Sequence, residues 1–509
     1  MSASRAKTAS WLSLISGLGI ILALVVSAGG ALASTLAPPD GAGVLSESAG
    51  GLGADLWVGT PLATAQRLLA ELPVASPSPA RQRLTTRLLL SSAEPPIGDD
   101  GGFVLAALRV AKLAAMGDAA GAVKLVAAIP GAFSDATIAR HWVEVQLVQT
   151  PDVLDCAEVA KLGPAFTALT IACQVAAKEA PAPTRTMPAD PGVAELILAH
   201  AAGQSVSAEM LAAIRDPLRL ALIGRAEASD PDIRLLAAER ATAAGALTET
   251  DLAAAYATVR FAPAALARPL SAGETGARAR ALAYQATIRE TAPAVRAELL
   301  RRAFELSGPG LGSAPPAEVP LTLLRKLPID ESTGWLAPVA IKALALRGHT
   351  EATALWLKAP HTPEESAALG RLWPLTALAT EDGNAAGAAA WLDAALLSPD
   401  PARRANVADM VALLQAAGVT LPENARTRLN EAATATVLPP LGLWQAFQAA
   451  SAAHRIGETV LTTLALYGDG GPSTMAAVVQ AQIITGLRAV GLAAEARALA
   501  REAIAPLLD

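Results

Sequence analysis

The sequence is poor in aromatic residues and in cysteine. Aromatic residues make up 3 % of its 509 residues, although 52 % are hydrophobic, and much of that fraction is alanine. Alanine favours helices because it loses no side-chain entropy there, whereas strands favour β-branched and aromatic residues. No convincing run of alternating apolar and polar β-branched residues is present. The composition therefore predicts an all-α protein.

Basic residues are neither in excess nor clustered. The chain has 40 basic and 46 acidic residues, and its formal net charge at pH 7 is −6. Proteins that bind nucleic acids or anionic membranes usually present a basic stripe or patch. The sequence therefore argues against a nucleic-acid partner, and we expect protein partners instead.

The short patterns that carry enzyme or metal chemistry are also missing. The histidines have no HxH or HExxH spacing; they are His141, His200, His349, His361 and His454. Surface or packing roles are expected for them, with a composite site in three dimensions as the alternative. The glycine-rich run at 308–313 follows no strand and is therefore not a phosphate loop. We predict no catalytic, cofactor-binding or metal-binding residues.

Residues 1–33 have the three-part pattern of a secretory signal peptide. A short polar head with Arg5 and Lys7 precedes a nearly unbroken apolar run at 11–26, and Ala31-Leu32-Ala33 fits the cleavage rule for signal peptidase. Cleavage after Ala33 would make Ser34 the new N-terminus. The alternative is an uncleaved membrane anchor, although the run is short of the roughly 20 residues that span a bilayer. The sequence predicts export to the bacterial periplasm.

Proline and glycine mark the breaks in the rest of the chain. Residues 34–53 are rich in Gly, Pro and Ser and are predicted to be a flexible tether. Helical patterns then continue to the C-terminus, with a Pro-rich break at 180–192. The run at 308–320 (GPGLGSAPPAEVP) is predicted to be a linker between two lobes of helical repeats, 54–307 and 321–509.

One short element recurs along the chain. It consists of Ala-Ala-Gly, a few residues and then a helix start, and it begins at Ala201, Ala243 and Ala416. Glycine suits the left-handed conformation that ends a helix, and the Ser, Thr or Pro that follows can open the next one. The element therefore predicts helical hairpins joined by glycine turns.

A second pattern combines a turn glycine, small residues at fixed spacings and a closing proline. It occurs at 383–399 and 117–130, and also as Gly491, Ala496, Ala500, Ala503 and Pro506. In this spacing the chain resembles the tetratricopeptide repeat, in which small residues let the second helix of a hairpin pack against the first. The resemblance implies an α-solenoid of stacked helical hairpins whose concave face binds a partner.

The two cysteines are placed symmetrically about a helix break. Gly163-Pro164 lies midway between Cys156 and Cys173. Residues equidistant from the turn of an antiparallel hairpin face each other, so the two sulfurs can meet. In an oxidising compartment this predicts a disulfide. Two buried free thiols are the alternative, and zinc is not expected because the spacing fits no ordinary ligand pattern.

Two Glu-Ser dipeptides, at Glu331 and Glu365, resemble the catalytic acid of lytic transglycosylases, some of which carry a long Ala-rich helical superhelix in the periplasm. Neither is followed by the Gly-Leu-Met-Gln-like element of that family. Glu365 also fits the third position of a capping box opened by Thr362. We therefore expect a non-catalytic periplasmic scaffold or adaptor for other cell-envelope proteins. The alternative is a peptidoglycan-binding or peptidoglycan-remodelling accessory protein.

Overall fold

Helices make up the regular secondary structure of the described chain. The computed structural model describes residues 38–99, 101–184, 186–227, 229–308, 317–380, 385–397, 400–422, 439–472 and 475–508. Over these ranges the chain forms α-helices and short 3-10 helices, and its β-bridges, Leu45 with Ser91 and Pro61 with Ile97, are isolated. The predicted all-α fold class is confirmed.

The α-helices of the described ranges are short and follow one another closely. In chain order they are α1 (Leu62–Ala70), α2 (Pro79–Leu90), α3 (Val104–Ala115), α4 (Ala119–Ala128), α5 (Ala136–Gln149), α6 (Cys156–Lys161), α7 (Thr167–Ala176), α8 (Val193–Ala201), α9 (Ala208–Ala213), α10 (Pro217–Arg225), α11 (Pro231–Ala244), α12 (Glu249–Thr258), α13 (Pro263–Ala267), α14 (Gly276–Arg289), α15 (Pro293–Leu306), α16 (Glu318–Leu324), α17 (Ala337–Arg347), α18 (Thr350–Lys358), α19 (Pro363–Arg371), α20 (Trp373–Thr380), α21 (Ala385–Leu396), α22 (Pro401–Ala416), α23 (Leu441–Ala452), α24 (Ile456–Tyr467), α25 (Ala477–Ala489) and α26 (Ala493–Ile504). Most pack against the next helix in sequence.

Left-handed glycines end the helices that precede hairpin turns. Gly203, Gly245 and Gly418, the glycines of the Ala-Ala-Gly elements, have φ of 74°, 92° and 88°. After the first turn, the Ser207 side chain caps the N-terminus of α9. After the second, Thr248 opens α12 with a capping box. The predicted glycine turns are therefore confirmed.

Residues 38–53 pack into the protein, so the predicted flexible tether is wrong for this stretch. Asp40 and Leu52 are buried in the interior. The guanidinium of Arg109 in α3, which is only 2 % exposed, joins this segment to the end of α2. It donates hydrogen bonds to four backbone carbonyl oxygens, those of Asp40 (3.3 Å), Ala42 (2.6 Å), Leu89 (2.7 Å) and Ser91 (2.7 Å).

The glycines that made this stretch resemble a tether serve a different purpose. A Cβ on Gly43 would lie 2.4 Å from the Ser91 carbonyl, and one on Gly41 would lie 2.6 Å from the Ala93 carbonyl oxygen. Only glycine allows two backbones to approach so closely. The same composition that suits a flexible linker therefore also suits tight backbone packing.

Helices from the two ends of the described chain pack against each other. Helix α1 contacts α24, and α2 contacts both α24 and α26. Arg87 in α2 forms an ion pair with Glu495 in α26. In an open solenoid each repeat contacts only its neighbours. In this chain, helices from the first and last parts of the described residues are also in contact, and residues 37–509 form one compact unit rather than two separate lobes.

Two predicted segments fall wholly or mainly outside the described residues. The signal peptide and its cleavage site between Ala33 and Ser34 lie before residue 38, and most of the predicted linker at 308–320 lies in the gap between 308 and 317. Among the helices that are described, none is long and apolar enough to cross a membrane.

Candidate functional site

The hairpin formed by α6 and α7 carries the two cysteines. The Asp155 side chain caps α6 by accepting a hydrogen bond from the Ala157 amide at 2.9 Å. The chain reverses at Gly163, whose φ is 106°. Cys156 and Cys173 are joined by a disulfide, with their Cα atoms 5.6 Å apart. The predicted pairing across the turn is confirmed, and it holds α6 against α7.

Helix α7 ends in a conformation that is unusual for the residue that adopts it. Lys178 has a φ of 60°, and the next amide, that of Glu179, donates a hydrogen bond to the Gln174 carbonyl at 2.8 Å. Glycine usually occupies this left-handed position. A residue with a Cβ costs roughly 1–2 kcal/mol there. The backbone is therefore strained at Lys178.

A wide groove lies beside this strained turn. Its volume is about 680 Å³, and its walls come from α5, α7, α8, α10 and the segment at 178–182 that follows α7. Larger apolar side chains supply part of the lining, namely Leu147, Val175, Ile197 and Leu222, and prolines and alanines fill much of the rest. The groove therefore offers a mainly apolar surface in which small side chains leave room for a guest.

The polar groups of the groove include two cationic hydrogen-bond donors, Lys178 and Arg225. Lys178, His200 and Arg225 line it together with a single carboxylate, that of Glu179. Burial lowers the pKa of His200, so its imidazole is neutral at pH 7. Its Nε2 atom is buried without a hydrogen-bond partner among the described residues. Such a set suits carbonyl or carboxylate oxygens.

Arg225 is held in place by the surrounding helices. Its guanidinium donates a hydrogen bond to the Val148 carbonyl at 2.8 Å. It also lies 3.7 Å from a carboxylate oxygen of Asp251. The hydrogen bond to α5 therefore fixes the orientation of the guanidinium, and Arg225 also lines the groove.

The glutamates of the transglycosylase-like dipeptides lie elsewhere. Glu331 is exposed in the turn before α17. The Glu365 carboxylate accepts a hydrogen bond from the Thr362 amide at 2.8 Å, and the Thr362 hydroxyl accepts one from the Glu365 amide at 3.2 Å. This is the predicted capping box. Neither glutamate lines the groove.

The prediction of no metal-binding residues concerns the arrangement of the His, Cys, Asp and Glu side chains. Over the described ranges, no group of three His, Cys, Asp or Glu side chains is placed to hold a metal ion. His361 and His454 contact backbone carbonyls, those of Trp356 at 2.9 Å and Ala489 at 3.0 Å. His200 differs from them because it lines the groove.

The sequence singles out two residues of the groove, His200 among the scattered histidines and Ala201 at the start of an Ala-Ala-Gly element, but it predicts no binding site there. The one local sign was the Pro-rich break at 180–192, of which residues 180–182 form part of the wall. Lys178 gave no sign because a lysine at a helix end is ordinary in sequence. Only its positive φ distinguishes it.

Comparison of this chain with protein-family models, with curated proteins and with solved structures gives no match. No family is therefore assigned to it. A proposal of function therefore depends on the chemistry of the groove and of the disulfide-linked hairpin.

Proposed function

We propose that this protein is an exported, non-catalytic scaffold or adaptor of the bacterial cell envelope, which binds an extended segment of a partner protein in the groove. One observation carries the proposal: a mainly apolar groove of about 680 Å³ is flanked by the cationic side chains of Lys178 and Arg225. Apolar walls would bury the side chains of a bound segment, and the donors would bind its backbone or carboxylate oxygens.

Two features support the export part of the proposal. A disulfide persists in oxidising compartments and is rare in the cytosol, and Cys156 and Cys173 form one. The pattern of residues 1–33 is that of a signal peptide. Together they favour the periplasm.

The strain at Lys178 supports a binding role for this part of the chain. Strained backbone persists where something other than stability maintains it, and it concentrates at binding and active sites. The lysine side chain lines the groove from the left-handed position. A glycine there would relieve the strain but would remove a cation from the groove.

Site-specific photo-crosslinking in the source bacterium tests the proposal. A photo-reactive residue in place of Ala201, which is exposed and lines the groove, should give a discrete adduct with one protein in the periplasmic fraction. The matched control is Ala213, which is exposed in α9 outside the groove. The same adducts from both positions, or none from Ala201, would overturn the proposal.

Purified peptidoglycan separates this function from the alternative of peptidoglycan remodelling. The protein should release no soluble muropeptides from it. If the wild-type protein releases muropeptides and either Glu331→Gln or Glu365→Gln does not, the protein is an enzyme and not a scaffold. Glu364→Gln, beside the second of these in the first turn of α19, is the matched control.

A further inference from the structure

A second cavity, the α14–α15 cleft, lies between these two helices and residues 266–271 at the end of α13. Its volume is about 390 Å³, and it shares no lining residue with the groove. Among its apolar lining residues, Leu270 and Val295 are 48 % and 46 % exposed, whereas Ala286 and Leu299 are buried. Small-molecule sites are concave, mainly apolar and roughly 300–1,000 Å³ in volume. The cleft therefore has the size and the apolar surface to hold a short hydrocarbon chain.

Two arginines line this cleft without a carboxylate partner. Arg268 is exposed, and its guanidinium makes no hydrogen bond or ion pair within the described part of the chain. Arg289 is exposed as well, and its guanidinium donates a hydrogen bond at 3.3 Å to the neutral amide oxygen of Gln285. The charges of both arginines are therefore available to a ligand in the cleft.

The one carboxylate that lines the cleft, that of Glu290, is occupied by the backbone. Its Oε1 atom accepts hydrogen bonds from the amides of Thr291 and Ala292, each at 2.8 Å. These amides lie directly before α15, where free N–H groups and the helix dipole favour a negative charge. Two arginines against one engaged carboxylate leave the cleft positively charged, in a protein whose net charge is −6.

We propose that the α14–α15 cleft binds a small amphiphile that has an apolar chain and a carboxylate head group, as a medium-chain fatty acid has. The chain would pack against Leu270, Val295 and Leu299, and the head group would accept charge-assisted hydrogen bonds from Arg268 and Arg289. A stable protein interface uses about 20–30 residues on each side, whereas eleven residues line this cleft. Its extent therefore favours a small ligand over a segment of a partner protein.

Calorimetric titration with sodium octanoate at constant ionic strength tests the site. Octanol has the chain without the charge, and sodium acetate has the charge without the chain. Octanoate should bind at one site, at least tenfold more tightly than either, because it alone contacts both the apolar lining and the arginines. No binding of octanoate, or equal binding of octanol, overturns the proposal. A protein adduct from a photo-reactive residue at position 270, without octanoate binding, would assign the cleft to a protein partner instead.

Variants then locate the bound octanoate. Arg268→Ala removes an exposed side chain, and Val295→Glu places a charge of the ligand's own sign at a half-exposed position in the cleft. Both should fold, as circular dichroism checks, and both should bind octanoate at least tenfold more weakly. The matched controls, Arg67→Ala at a side chain that is 58 % exposed in α1 and Leu236→Glu at one that is 44 % exposed in α11, should bind as the wild type does. Unchanged affinity in Arg268→Ala and Val295→Glu contradicts the assignment.

Discussion

The Ser78 hydroxyl donates a hydrogen bond to a carboxylate oxygen of Glu502, 424 residues further along the chain. The other carboxylate oxygen accepts a hydrogen bond from the Ala80 amide at 2.7 Å. A carboxylate at a helix N-terminus satisfies free amides and interacts favourably with the helix dipole. Glu502 in α26 therefore binds the N-terminus of α2, and this contact joins helices from the first and last parts of the described chain.

The Glu502 contact should make stability depend on pH. Burial raises the pKa of Glu502 above its ordinary value of 4.5, so the folded protein holds this proton more tightly than the unfolded chain does. Its contribution is full below pH 4.5 and is lost as the pH rises through the raised pKa. In Glu502→Gln, urea unfolding at pH 4 to 7 should therefore show a smaller loss of stability with rising pH.

The control for that measurement is Glu364→Gln, because Glu364 is exposed in the first turn of α19. Burial also raises the pKa of Asp40 and of Asp409, so part of the pH dependence should persist in every variant. Only the difference between wild type and Glu502→Gln reports on Glu502. Parallel curves for the two proteins would contradict this account of the contact.

Arg109 should be among the most costly residues to replace. Arg109→Leu leaves four backbone carbonyl oxygens without their donor, and each buried acceptor left unsatisfied typically costs about 1–3 kcal/mol, so a loss of several kcal/mol is expected. The free energy of unfolding should fall by this amount. Arg302→Ala, on a side chain that is 45 % exposed, should change it by less than about 1 kcal/mol. Similar values for both would mean that Arg109 does not hold residues 38–53 in place.

Lys178→Gly should stabilise the fold and weaken binding. Glycine adopts the left-handed conformation freely, so the gain in unfolding free energy should be about 1 kcal/mol after the entropy of the unfolded chain is included. Crosslinking from position 201 should decrease because a cation has left the groove. The reverse change, Gly203→Lys, meets no neighbour within 4 Å at a φ of 74° and should destabilise by about 1 kcal/mol once the same entropy is included. A Lys178→Gly protein that is less stable than the wild type would contradict the assigned strain.

The disulfide should be complete in the exported protein. Protein purified without reductant and then denatured should show no reactive thiol, since Cys156 and Cys173 are the cysteines of the chain. Replacing both by serine should cost roughly 3 kcal/mol, the value of the chain-entropy model for a loop of this size. Two reactive thiols per chain would show that the hairpin is held by packing alone.

Features formed by residues close together in the sequence could be predicted, whereas features formed by residues far apart in the sequence could not. The glycine turns at Gly203 and Gly245 and the pairing of Cys156 with Cys173 depend on residues close together in the chain. The tether prediction failed because glycines such as Gly43 permit close backbone contact as readily as flexibility. The Ser78–Glu502 contact and the groove arise from packing between distant helices, and no short pattern encodes such packing.

The central claim is that a partner polypeptide occupies the groove. It is tested most directly by the photo-crosslinked adduct from position 201 in two further variants. Leu222→Glu places a charge among the apolar side chains of the groove, whereas Leu236→Glu places the same charge on α11 at a leucine that is 44 % exposed outside it. With both proteins folded, as judged by circular dichroism, the adduct should disappear in Leu222→Glu and persist in Leu236→Glu. An adduct of equal yield in both variants would contradict binding in the groove.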